Sequence, residues 1–115
     1  MVLMKKVDKP WGYELIWAHT DRYVGKILFV RTGEALSLQY HERKDETIYI
    51  YSGEIDLLIE EDGKLITHRM QAGDAYHIKP NVKHRMVAIR DTEILEASTP
   101  ELDDVVRLED RYNRT

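Results

Sequence analysis

Short apolar runs, broken at regular intervals by turn residues, constrain this chain more than any other feature of it. YELIW, VGKILFV, ALSLQY, TIYIY, IDLLIE, KLITHRM, AYHI, HRMVAI and EILEA are each of strand length and rich in β-branched and aromatic residues. Between them stand Thr32-Gly33, Ser52-Gly53, Asp62-Gly63, Ala72-Gly73, Pro80-Asn81 and Arg90-Asp91, pairs suited to tight turns. About nine strands with this punctuation, and no helical period before residue 100, predict an all-β sandwich or barrel. Asp62-Gly63 lies between LLIEE and KLITH and predicts a tight hairpin. The last fifteen residues fit either a short helix or an irregular arm over the barrel.

A chain of 115 residues suits one domain, 1–115, able to bury roughly two thirds of its unfolded surface and to hold together without disulfides. There is no cysteine, so any metal must be held by nitrogen and oxygen. The first residues, MVLMKKVDKPWG, lack the apolar run of a signal peptide, and no segment is long enough to cross a bilayer as a helix. A soluble, cytoplasmic protein without membrane contact is expected. The net charge of −4 and the absence of a basic face speak against nucleic-acid binding.

Chemistry concentrates in GEALSLQYHERKDETIYIYSG, which places Gln39, His41 and Glu46 between Gly33 and Gly53. Side chains alternate along a strand, so Gln39 and His41 share a face. A Glu opening the next strand is expected to meet them across the ladder, giving three ligands from one hairpin. In GDAYHIKPNVKHRMVA the Pro80-Asn81 turn delivers His84 to the start of a strand as a fourth ligand. Two imidazoles, a carboxylate and an amide oxygen suit one divalent ion, zinc foremost, or manganese, iron, cobalt or nickel, with positions left for water or substrate.

These residues resemble the cupin family. The first segment is similar to its pattern of Gly, His, His, Glu and Gly, with Gln39 at the first His; in the second, Lys79 stands at the usual Pro, Asn81 at the usual Gly and Ala88 at the closing Asn. KPWGYE, LSLQYH and DDVVRLEDRYNR are similar, in order, to the RPWG, LSLQxH and DDIVRxEDxYGR segments of the C-terminal cupin domain of type II phosphomannose isomerases, the isomerase half of mannose-6-phosphate isomerase/mannose-1-phosphate guanylyltransferases. The resemblance implies a double-stranded β-helix, or jelly-roll barrel, with a C-terminal arm. It also implies that Gln39, His41, Glu46 and His84 bind the catalytic metal. The family's HHRAEHW is replaced by ERKDETI from Glu42 to Ile48, with Lys44 at an Arg and Thr47 at a His.

On this reading the chain is a metal-dependent isomerase interconverting mannose 6-phosphate and fructose 6-phosphate, or a relative acting on another aldose. The alternatives are a metal- and small-molecule-binding cupin without catalysis, favoured by the altered residues after His41, and a cupin dioxygenase using iron. Lys44, Arg107 and His77 are the candidates for catalysis, with Arg107 placed to take a phosphate and Glu42, Lys44 or His77 to move the proton. Against each stands a plainer role: Arg107 paired with Asp104 or Asp110, His77 on the outer face, Lys44 and Arg85 merely solvated. Tyr40, Tyr49, Tyr51 and Tyr76 are expected to pack on the sheet more than to stack on a sugar, and Trp11 and Gly12 to anchor the first strand. The fold resemblance implies a homodimer.

Overall fold

The computed structural model describes residues 4–114. Eleven strands follow one another: β1 (Lys5–Lys9), β2 (Gly12–His19), β3 (Val24–Val30), β4 (Leu38–His41), β5 (Glu46–Ser52), β6 (Glu54–Glu61), β7 (Lys64–Gln71), β8 (Ala75–Ile78), β9 (His84–Ala88), β10 (Thr92–Ser98) and β11 (Val105–Glu109). They form a six-stranded sheet, β1-β2-β3-β10-β5-β8, and a five-stranded sheet, β11-β4-β9-β6-β7. Every strand pair is antiparallel. The all-β expectation holds, and no helix among the described residues is long and apolar enough to cross a membrane.

Two strands exceed the nine read from the sequence. KKVDK is too polar to signal a strand, yet β1 pairs with β2 from Lys5↔Ile16 to Lys9↔Gly12. The C-terminal arm is itself largely strand, since β11 lies along β4 and so gives that strand's outer backbone groups their partners. Pairing, not side-chain pattern, makes both into strands, which is why a reading of side chains passes over them.

Alternation decides what is inside. Along β5, Glu46, Ile48 and Ile50 are buried while Thr47, Tyr49 and Tyr51 are exposed. β6 turns Ile55, Leu57 and Ile59 inward, β9 turns His84, Met86 and Ala88, and β10 turns Thr92, Ile94, Glu96 and Ser98. The core gathers these apolar residues with Trp11, Leu28, Val30, Leu36, Met70 and Ile78. Each fully buried Ile or Leu contributes about 1.5–3 kcal/mol relative to exposure. The same strands carry their polar inward residues, Lys26, Glu46, His84 and Glu96, so one part of the interior is charged while the rest is apolar.

The turns do what their residues permit. Asp62 and Gly63 both have positive φ, 52° and 77°, and join β6 to β7 directly after the Glu61↔Lys64 pair. This is the backbone that a two-residue hairpin loop demands. Asn81 takes φ 65°, which asparagine tolerates better than most residues, so it can stand where the related motif has Gly. Its N–H donates to the His41 carbonyl at 2.6 Å, tying the turn before β9 to the end of β4. Gly12 is required because a Cβ there would collide with the Phe29 carbonyl oxygen on β3.

Candidate metal centre and cavity

His41 ends β4, Glu46 opens β5 and His84 opens β9. One ligand-type atom from each lies within 4.8 Å of the others. The expectation that Glu46 meets Gln39 and His41 across one ladder does not hold: β4 lies in the five-stranded sheet and β5 in the six-stranded one. The residue facing Gln39 across the β4–β9 ladder is His84. Glu46 reaches the histidines through the interior from the opposite sheet, because the chain between His41 and Glu46 crosses between sheets instead of making a hairpin.

Each imidazole is held in one orientation. The Nδ1–H of His41 donates to the Asp104 carbonyl and that of His84 to the Val82 carbonyl, both at 2.9 Å. A carbonyl only accepts, so Nδ1 carries the proton and Nε2 is left with its lone pair. Both Nε2 atoms are buried and lack a hydrogen-bond partner among the described residues. Burial holds both rings below the ordinary histidine range, with the Lys44 charge adding to the effect at His41 and the Glu46 charge opposing it at His84. The rings are therefore neutral near pH 7 and free to bind a cation.

His41 Nε2 lies 3.6 Å from Glu46 Oε2, and His84 Nε2 lies 3.6 Å from Glu46 Oε1. Two ligands about 2.1 Å from one ion stand roughly 3.0–3.4 Å apart, so small side-chain adjustments suffice. Unpartnered buried nitrogens, second ring nitrogens fixed by carbonyls and a carboxylate between them together fit a divalent ion. Gln39, half-buried on the same ladder, lines the same cavity, and its Oε1 accepts the Ser37 hydroxyl at 3.0 Å.

Beside these residues is a cavity of about 340 Å³, walled by Trp11, Leu28, Leu36 and Met86 and by many charged groups. Lys44 is buried and lies 2.9 Å from Glu46 and 3.0 Å from Glu96. Burial alone would lower its pKa, but the two carboxylates outweigh burial and raise it, so Lys44 stays protonated. Glu96 also contacts Lys26 at 4.0 Å, and Lys26 contacts Glu14 at 3.5 Å. Burial pushes Glu46 up, helped by the Glu96 charge; at Glu96 the two lysines outweigh burial and hold the carboxyl below its usual range. Lys26, Glu96 and Glu14 were missed in the sequence. The signal was present as Lys26 within VGKILFV and Glu96 within EILEA, charges on the apolar face of a strand.

Arg107 lines the cavity opposite Gln39 on the β11–β4 ladder. It pairs with neither Asp104 nor Asp110. Asp104 instead accepts the backbone N–H groups of Glu42, Arg43 and Lys44, and Asp110 holds Arg114. The Arg107 Nε is buried without a partner among the described residues. His77 does not line the cavity: it is half-exposed on β8, with Nε2 2.6 Å from Asp45. β8 pairs along β5, and the alternation that sends Ile78 inward sends His77 out. Glu42 is exposed. Arg85 binds the Leu36 and Glu109 carbonyls, fastening β9 to the chain before β4 and to β11. Tyr49 and Tyr51 are exposed on the outer face, Tyr40 lies on the face of β4 opposite His41, and Tyr76 bonds Glu61 at 2.7 Å. Trp11 is 3 % exposed and belongs to the core, as expected of an anchor.

The family model described as a cupin domain matches residues 26–97, which include Gln39, His41, Glu46 and His84. The chain is a cupin. Among known proteins, this cupin is 33% identical over 116 residues to mannose-1-phosphate guanylyltransferase of Escherichia coli, covering 96% of the chain and 23% of that protein. It is 32% identical over 117 residues to the xanthan biosynthesis protein XanB of Xanthomonas campestris pv. campestris, covering 96% and 24%. The cupin thus spans about a quarter of the length of these relatives. KdgF from Halomonas sp. superposes with a TM-score of 0.74 at 24% identity, over 86% of this chain and 88% of that one. Oxalate decarboxylase from Bacillus subtilis superposes with a TM-score of 0.82 at 16% identity, over 97% and 32%. At these identities the two structures speak for the fold alone.

Proposed function

We propose that this cupin binds one divalent metal ion through His41, Glu46, His84 and Gln39 and isomerises a sugar phosphate, interconverting an aldose and its ketose. The observation that carries the reading is the pair of buried, unpartnered Nε2 atoms flanking Glu46 beside a cavity rich in cations. A divalent ion there, zinc foremost, would act as a Lewis acid on the carbonyl and neighbouring hydroxyl oxygens. Similarity along 96% of the chain to proteins named mannose-1-phosphate guanylyltransferase supports a mannose phosphate as the substrate.

The chain's own residues divide the remaining tasks. Arg107, with its unpartnered Nε, binds the phosphate. Lys44 remains charged and stabilises negative charge developing on the substrate; it does not take up a proton. His77 and Glu42 lie away from the cavity and drop out as proton carriers. Glu46, behind the cavity wall, and Glu96, in it, are 1% and 5% exposed and held by Lys44, whereas two further carboxylates line the cavity: Glu14, 13% exposed and paired with Lys26, and Asp103, which is exposed to solvent. Of these two, Glu14 is the more enclosed and is the one assigned to take the proton from C2 and return it to C1.

The decisive assay is conversion of mannose 6-phosphate to fructose 6-phosphate with added zinc, manganese or cobalt, run beside Gln39→Ala and His84→Ala. Metal-dependent turnover lost in both variants is expected. Stoichiometric metal binding without turnover on any aldose phosphate would leave a binding cupin, a second reading that the outward placement of His77 and Glu42 favours.

A further inference from the structure

Metal and substrate binding leave two deeply buried charges, Lys26 and Glu96, without a task. With Lys44 and Glu46 they form a row of alternating sign. Lys26 Nζ is 4.0 Å from Glu96 Oε2, which is 3.0 Å from Lys44 Nζ, which in turn is 2.9 Å from Glu46 Oε2. The four side chains are 9%, 5%, 7% and 1% exposed. Desolvating such charges is costly, and well-packed apolar side chains commonly serve stability equally well. The row therefore calls for a role other than holding the fold together.

Its end is a metal ligand. A lysine ammonium against Glu46 opposes a dication twice, by like charge and by competing for the same carboxylate oxygen. Glu96 sits on the other side of that ammonium and counters both effects. We propose that Lys44 and Glu96 are positioning residues that set the charge of the metal centre: Lys44 cancels Glu46 and restrains metal affinity, and Glu96 counterbalances Lys44 so that the ion can still bind. With Glu46 cancelled by Lys44 and Glu96 by Lys26, an ion held by two neutral imidazoles keeps its double positive charge toward the cavity. The centre accordingly selects anionic oxygen donors. This inference rests on the metal reading given above.

The test is the affinity for Zn²⁺ alone, measured near neutral pH by titration calorimetry and by competition with a chelator, with circular dichroism checking that each variant is folded. Glu96→Gln is expected to weaken binding at least about tenfold, and Lys44→Met to tighten it about tenfold, as charge changes at this range require. The double variant, which removes one charge of each sign, is expected within about threefold of the parent protein. His84→Ala serves as the control that binding occurs at this site. Four affinities within threefold of one another, or a Lys44→Met variant that binds Zn²⁺ more weakly than the parent, overturn the role of Lys44 and Glu96 and leave the metal site standing. Failure of the parent protein to bind Zn²⁺ at all overturns both the inference and the metal reading.

Discussion

Two imidazoles and a carboxylate drawn from three strands become one centre because each is oriented by a different part of the backbone. His41 is set by the Asp104 carbonyl, His84 by the Val82 carbonyl and Glu46 by Lys44. Loss of any single orienting contact is expected to weaken the centre without dismantling it, as is usual when the partners of metal ligands are changed. At this scale Glu14 is the most informative position. Glu14→Gln is expected to lower kcat for the isomerisation by about 10²–10⁴-fold, the usual worth of a general base. Zn²⁺ affinity in this variant should stay close to that of the parent protein, since Glu14 forms its ion pair with Lys26 and not with the candidate metal ligands. Undiminished turnover in Glu14→Gln would remove it from the proton path.

Elements depend on ties that are polar and local. The Asp91 carboxylate, just before β10, accepts both the N–H and the hydroxyl of Thr32, just after β3, at 2.8 and 2.9 Å. These bonds hold its carboxyl below the ordinary aspartate range in the folded protein. A depressed folded pKa means that the contribution to stability is complete above the unfolded value, about 3.9, and is lost as pH falls through the folded one. Asp91→Asn is therefore expected to have a lower thermal midpoint than the parent at pH 7, with the two converging as the pH drops below 4. A gap that persists unchanged at low pH would show that the aspartate acts through something other than its charge. β11 is the element with the widest reach. It completes the edge of β4, places Arg107 opposite Gln39, and follows directly on Asp104, which braces His41 and the backbone of residues 42–44.

For the whole molecule, stability resides in the apolar part of the interior, and the charged part houses the candidate metal centre. Ile48 is fully buried and belongs to the apolar core. Ile48→Ala is expected to cost about 2–5 kcal/mol in urea unfolding, the range for core isoleucine truncations. A loss below about 1 kcal/mol would mean that the interior closes over the gap. The six-stranded sheet ends in β1 and β8, whose outer backbone edges suit pairing with a second copy. Light scattering is expected to report a dimer, and a monomer would end that expectation. The sequence by itself determined the strand alternation, the turns at Asp62-Gly63 and Asn81, and the inward aim of His41, Glu46 and His84, because all of these follow from local backbone geometry and a period of two. Only the tertiary structure decided that Glu46 comes from the opposite sheet, that polar β1 and the C-terminal arm are strands, that His77 faces away, and that Lys26 and Glu96 back the candidate metal ligands. Those outcomes turn on which strands pair and in what register, and pairing between residues far apart in the chain is settled by the packing of the whole barrel.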